Sequence, residues 1–140
     1  MTAAFVVDTS AVIAIVCDEP EAAALHRIMA GAEIILLPSS AYLEAGIVLL
    51  RRYGDGARAM LDDFLKLGQI EIAPLGPIES GLALEAYARY GKGRGHKAQL
   101  NFGDCQTYSV AKSLGLPLLF VGEDFTATDL VDVRSVARES

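Results

Sequence analysis

A chain of 140 residues, 52% hydrophobic and 21% charged, has the length and apolar content for one domain around a real core and is neither disordered nor fibrous in composition. Its net charge of -6 excludes a protein that grips nucleic acid through a broad basic surface, but not a nucleic-acid enzyme whose acidic pocket is offset by cations. The longest apolar run, Ala11 to Cys17, falls far short of the roughly 20 residues that cross a bilayer, and no basic residue precedes Phe5-Val6-Val7 as in a signal peptide; no membrane segment and a cytoplasmic location are expected.

Ala4 to Val7 reads as a short strand buried on both faces, which leaves Asp8 at its C-terminal edge. Thr9-Ser10 can cap a helix running through Cys17, and Asp18-Glu19-Pro20 breaks it before a second helix, Glu21 to Met29. Ile34 to Leu37 is a second buried strand, ended by Pro38. Ser39 or Ser40 then caps a long helix to about Tyr53, in which Leu43, Ile47 and Leu50 form a core stripe with Glu44 beside it. Gly54-Asp55-Gly56 separates it from a helix over Ala57 to Leu67, and Gln69 to Ala73 is a third strand. Ile78, Leu82, Ala86 and Tyr90 recur every four residues, predicting a helix from about Pro77 to Tyr90 with one buried face.

Gly91 to Gly95 alternates glycine with Lys92 and Arg94, in a loop that also holds His96 and Lys97. It fits neither a P-loop nor a dinucleotide fingerprint and reads as a mobile basic loop available for substrate contact. Asn101 N-caps a helix over Gln106 to Leu114, which puts Asp104 in its first turn. Gly115 stops that helix, Leu118 to Val121 is a fourth strand followed by Gly122-Glu123-Asp124-Phe125, and Leu130 to Val133 adds a last edge strand. Alternating strands and helices predict an α/β sandwich around a parallel sheet, in a single domain spanning residues 1–140.

Ligands of such sheets bind beyond the carboxyl ends of the strands, where strand order switches. Asp8 and Asp124 are expected at such ends, while Glu44 and Asp104 approach from helices. If the four meet, repulsion raises their pKa values unless cations neutralise them, and an all-oxygen pocket selects Mg²⁺ or Mn²⁺. Zinc is a poor fit, because only His26 and His96 are available and neither has cysteine company. Cys17 and Cys105 have no metal or redox spacing and read as reduced thiols.

This pocket suits metal-assisted phosphodiester hydrolysis, with Ser10 orienting a carboxylate or water. A Ser-His-Asp hydrolase lacks its Gly-x-Ser-x-Gly elbow. An aspartyl-phosphate phosphatase wants a second Asp two residues after the first, where Ser10 stands. A catalytically silent module that binds a partner protein or RNA is the non-enzymatic alternative.

Val6-Val7-Asp8-Thr9-Ser10-Ala11, Leu43-Glu44-Ala45-Gly46-Ile47-Val48, Tyr90-Gly91-Lys92-Gly93, Leu100-Asn101-Phe102-Gly103-Asp104-Cys105 and Gly122-Glu123-Asp124-Phe125 run in order along nearly the whole chain. Together they resemble the PIN-domain ribonuclease toxins of VapC type. The resemblance implies a three-layer sandwich with a central, mostly parallel sheet of four to five strands. It implies an endoribonuclease, the toxin of a toxin-antitoxin pair, with Asp8, Glu44, Asp104 and Asp124 as the acidic quartet for Mg²⁺ or Mn²⁺. It also implies a homodimer and a cognate VapB antitoxin. Glu123 beside Asp124 is an alternative fourth acid, and Thr128-Asp129 matches the usual tail after Asp-Phe.

Overall fold

The protein is described by a computed structural model covering residues 4–135. Strand β1 (Ala4–Val7) leads into helices α1 (Thr9–Val16) and α2 (Ala22–Ala30), then β2 (Ile34–Pro38) and α3 (Ser39–Tyr53). A single 3-10 turn over Gly54–Gly56 joins α3 to α4 (Ala57–Gly68), followed by β3 (Ile70–Ala73), α5 (Pro77–Tyr90), α6 (Phe102–Leu114) and β4 (Leu118–Leu119).

The four strands are all parallel, in the order β3-β2-β1-β4. Growth from β1 runs outward through β2 and β3, and β4 then joins on the other side of β1. The switch in strand order therefore lies between β1 and β4, whose C-terminal ends open the crevice where such sheets bind ligands.

Side chains alternate across the sheet as strand geometry requires. Phe5, Val7, Ile35 and Leu37 pack into one core with α1 to α4, while Val6, Leu118 and Phe120 pack into the other with α5 and α6. The result is three layers. Phe5, Val6 and Val7 have no solvent exposure, and burial of side chains this large contributes about 1.5–3 kcal/mol each.

Several local expectations change. In α3 the face turned inward is Ala41, Ala45 and Leu49, whereas Leu43, Ile47 and Leu50 of the expected core stripe are exposed, Leu43 by 63%. Small alanines let the helix lie close to the rest of its layer, so its larger apolar side chains point outward. In α5 Ala86 and Tyr90 are buried as expected, but Ile78 is exposed. Asp8, not Thr9 or Ser10, caps α1, which ends at Val16 with Cys17 as its C-cap. Pro38 occupies the cap position of α3 with no side-chain bond, and Ser39 is already helical. The edge strand expected over Leu130 to Val133 shrinks to one parallel bridge between Leu118 and Asp132.

The basic loop is tied at its base. Gly91 bridges Leu100, the Lys92 N–H donates to the Leu100 carbonyl, and the Tyr87 hydroxyl donates to the Lys92 carbonyl at 2.9 Å. Gly93 and Gly95 take positive φ between these anchors, and the His96 ring stands edge-on to buried Tyr90. The segment expected to be mobile is thus held by hydrogen bonds at its base.

Candidate active site

Asp8 leaves β1 in an extended conformation and turns the chain into α1. Its Oδ2 accepts from the Ser10 N–H at 3.0 Å and from Ser10 Oγ at 2.7 Å. The same hydroxyl accepts from the Val121 N–H at 2.9 Å, so Ser10 ties the end of β1 to the chain leaving β4. Ser10 therefore touches a carboxylate, as the sequence suggests.

Glu44 reaches over from α3, and its Oε1 accepts from Thr9 Oγ1 at 2.7 Å. Its other oxygen lies against Gly103, only 2.6 Å from where a Cβ there would sit. Glycine at 103 thus leaves room for the Glu44 carboxylate against the start of α6. Asn101 Oδ1 accepts from the Asp104 N–H at 2.8 Å, while Asp104 Oδ2 accepts from the Asn101 N–H at 3.0 Å. This reciprocal capping box fixes the first turn of α6.

Burial is graded across the acids: Asp8 is 6% exposed, Asp104 is half-buried, and Glu44 and Asp124 are exposed. Burial raises the Asp8 pKa above the usual carboxylate value; the Ser10 hydrogen bonds oppose it and the Glu44 charge reinforces it. Burial also pushes Asp104 up to about 6, against the Asn101 N–H, with repulsion from Asp8, Asp124 and Glu44 adding to the rise. Asp124 is thus among the charges that act on Asp104.

Each of the first three acids has one oxygen engaged and one accepting no hydrogen bond among the described residues: Asp8 Oδ1, Glu44 Oε2 and Asp104 Oδ1. Pinned carboxylates with a spare hard oxygen and mutual repulsion fit a divalent cation. Among the described residues no three His, Cys, Asp or Glu side chains converge enough to enclose a metal. An ion held by so few protein oxygens would have to keep several waters, as Mg²⁺ does.

Two hydroxyls near the acids escape a reading of the sequence. Thr9 holds Glu44 instead of capping α1. Buried Thr107 has no hydrogen-bond partner of ordinary geometry for its Oγ1, yet stands near enough to Asp8 to favour its charged form. Its position three residues after Asp104, on the same side of α6, is the available signal. Lys92 and Arg94 are exposed on the basic loop, and none of their hydrogen bonds reaches the acids. Cys105 is a buried free thiol with its pKa raised to about 11 by burial, consistent with packing behind the site.

The PIN domain family model matches residues 5–130. A ribonuclease VapC of Mycolicibacterium smegmatis is 41% identical over 129 residues, covering 92% of this chain and 99% of that protein. Ribonuclease VapC30 of Mycobacterium tuberculosis is 40% identical over 128 residues, covering 91% and 97%. Among solved structures, VapC20 of M. tuberculosis, described as a sarcin-ricin loop cleaving toxin, superposes with a TM-score of 0.76 at 18% identity, over 91% of this chain and 97% of that one. The VapBC2 structure from Rickettsia felis, bound to a DNA fragment from their promoter, gives 0.72 at 15% identity, over 91% and 96%. The all-parallel sheet, its switch point at Asp8 and the agreement along nearly the full chain lead to one conclusion: this chain belongs to the PIN-domain family, as a VapC-type ribonuclease.

Proposed function

We propose that this VapC-type toxin hydrolyses RNA phosphodiester bonds using Mg²⁺ or Mn²⁺ held by Asp8, Glu44, Asp104 and Asp124. The observation that carries this reading is the gathering of acids at the crevice: burial first, then repulsion from Asp8, Asp124 and Glu44, raise Asp104 against the Asn101 N–H, and a bound cation would offset that charge. When bound, such an ion activates water and offsets charge on the scissile phosphate.

The chain's own residues supply the frame. Ser10 and Thr9 orient the carboxylates of Asp8 and Glu44, and the Asn101 capping box aims Asp104 from a rigid helix start. Lys92 and Arg94 extend a positive arm for phosphates of the bound strand. Purified protein with Mn²⁺ is expected to cut RNA, to stop in chelator, and to lose activity in Asp104→Asn; undiminished cutting by that variant would rule the reading out.

The partners proposed with this function are a VapB-type antitoxin and a second copy of the chain. Leu43, Ile47 and Leu50 on α3, Leu84 and Tyr87 on α5, and Phe102 give the second copy an apolar face. Phe102, 78% exposed, and Gln106 line both a 510 Å³ hollow bordered by Leu84 and Tyr87 and a 440 Å³ hollow bordered by Leu43 and Ile47. Sedimentation of Ile47→Arg against the wild type tests the homodimer, and an unchanged mass for both would reject this face. A cytoplasmic site of action is proposed alongside; no helix among the described residues is long and apolar enough to cross a membrane.

A further inference from the structure

The tail motif Thr128-Asp129 has no part in the chemistry above, yet both carboxylate oxygens of Asp129 are engaged. Its Oδ1 accepts from the Tyr108 hydroxyl at 2.5 Å and its Oδ2 from Lys112 Nζ at 2.7 Å. Both partners lie on α6, and Asp104, Tyr108 and Lys112 follow one another at four-residue intervals along one side of it. The helix that presents Asp104 from its first turn thus grips Asp129 from its next two.

Asp124 is strung between this grip and a second anchor. At one end the Val121 N–H is bound by Ser10, which also binds Asp8. At the other is Asp129. Between them Phe125 is buried against Phe120, and Thr126 and Thr128 each donate a hydroxyl to the carbonyl three residues back. Asp124 itself is exposed and makes no hydrogen bond among the described residues, so its place is set by its anchors.

We propose that Asp129, gripped by Tyr108 and Lys112, is the positioning residue that sets Asp124 opposite Asp104. Lys112 and Asp129 are both substantially exposed, and such ion pairs contribute little alone. Tyr108 is buried, with its ring against Tyr90, so its hydroxyl is the fixed point. Loss of that hydroxyl frees the tail to drift while leaving the ring and the core in place.

The inference rests on the four-acid reading of the site, and the test separates the two. Mn²⁺ is titrated into the full-length protein near neutral pH, with free Mn²⁺ read by electron paramagnetic resonance and each variant's folding checked by thermal melting. Asp124→Asn is expected to weaken binding, and Tyr108→Phe and Asp129→Asn to weaken it about tenfold, the effect usual for groups that support a metal ligand. Lys112→Ala should cost about twofold or less. The decisive protein is the double variant Tyr108→Phe with Asp124→Asn: a grip acting through Asp124 makes it bind no worse than Asp124→Asn alone. Wild-type affinity in Tyr108→Phe, or additive losses in the double variant, would overturn the positioning role while leaving the four-acid site intact. Equal Mn²⁺ binding by wild type, Asp104→Asn and Asp124→Asn would overturn the four-acid site and the positioning role with it. Should Asp129→Asn fail to fold, Tyr108→Phe, which loses a single hydroxyl, still decides the matter.

Discussion

Asp8 and Asp124 stand at related places, each past the C-terminal end of one of two neighbouring parallel strands, yet they are held in opposite ways. Asp8 is buried, caps a helix and has one oxygen fixed by two bonds from Ser10. Asp124 is exposed in an irregular turn whose neighbours are anchored, while its own carboxylate accepts no hydrogen bond among the described residues. The crevice therefore has a rigid wall, formed by β1, α1 and α3, whose acids accept direct hydrogen bonds, and a second wall, the tail beyond β4, whose acid accepts none among the described residues. A wall of directly bonded acids can hold repelling carboxylates in readiness.

The largest effect expected of this contrast lies between the two acids themselves. Asp8→Asn should reduce RNA cleavage by about a hundredfold or more, with little recovery when Mn²⁺ is raised, whereas Asp124→Asn should lose about tenfold and recover much of it. Cleavage rates over a Mn²⁺ series check this, and equal rescue would erase the distinction. Gly103→Ala comes next. The added methyl meets the flexible end of Glu44, which must swing away, so activity should fall about tenfold while the melting temperature stays within about 2 °C of wild type. A matching loss of stability would show instead that the Cβ disturbs the backbone. Thr9→Val removes the hydroxyl that holds Glu44 and should cost several-fold in metal affinity, read by the same Mn²⁺ titration.

The pH dependence follows from the two acids that burial raises, Asp8 at the end of β1 and Asp104 on α6. Asp104 binds its proton more tightly in the folded chain, at about 6, than at its ordinary value of 3.8, and burial raises Asp8 in the same direction. The folded state then holds more protons than the unfolded one through this window, so in chelator stability falls as pH rises from about 4 through 6. Melting curves in EDTA should therefore shift down between pH 5 and 7.5, and Mn²⁺ should close most of the gap. A rising melting temperature over that interval, traced to these two carboxyls by their Asn variants, would contradict the assignment. The smallest expected effect is at the basic loop. Lys92→Ala with Arg94→Ala should flatten the salt dependence of RNA affinity, the slope falling by about one for each phosphate that is no longer neutralised; an unchanged slope would leave the loop without a role in binding.

Much of this can be read from the sequence where one residue type serves one local rule. The Asn101 to Asp104 capping box, the strand ahead of Asp8 and the helix stop at Gly115 are all set by neighbours a few residues away, and all appear in the structure. Strand order, and with it the switch point beside Asp8, follows from pairing across the chain, which alternation of elements alone does not specify. The α3 stripe misleads because apolar periodicity marks a face without saying what the face meets. Two alanines and Leu49 suffice to pack α3 inward, and the larger side chains remain outside. Hydroxyls near helix starts usually serve as caps, but Asp8 already takes that position and leaves Thr9 to hold Glu44. The holds on Glu44 and Asp129 bridge 35 and 21 residues of sequence, beyond any local pattern.

The capping oxygen of Asp8 has one further consequence, for inheritance. Asparagine caps a helix about as well as aspartate, so Asp8→Asn keeps the start of α1 while removing the charge from the crevice. A single-base change in an aspartate codon makes that substitution. A chain that keeps its helix start but lacks this charge is thus one mutational step away.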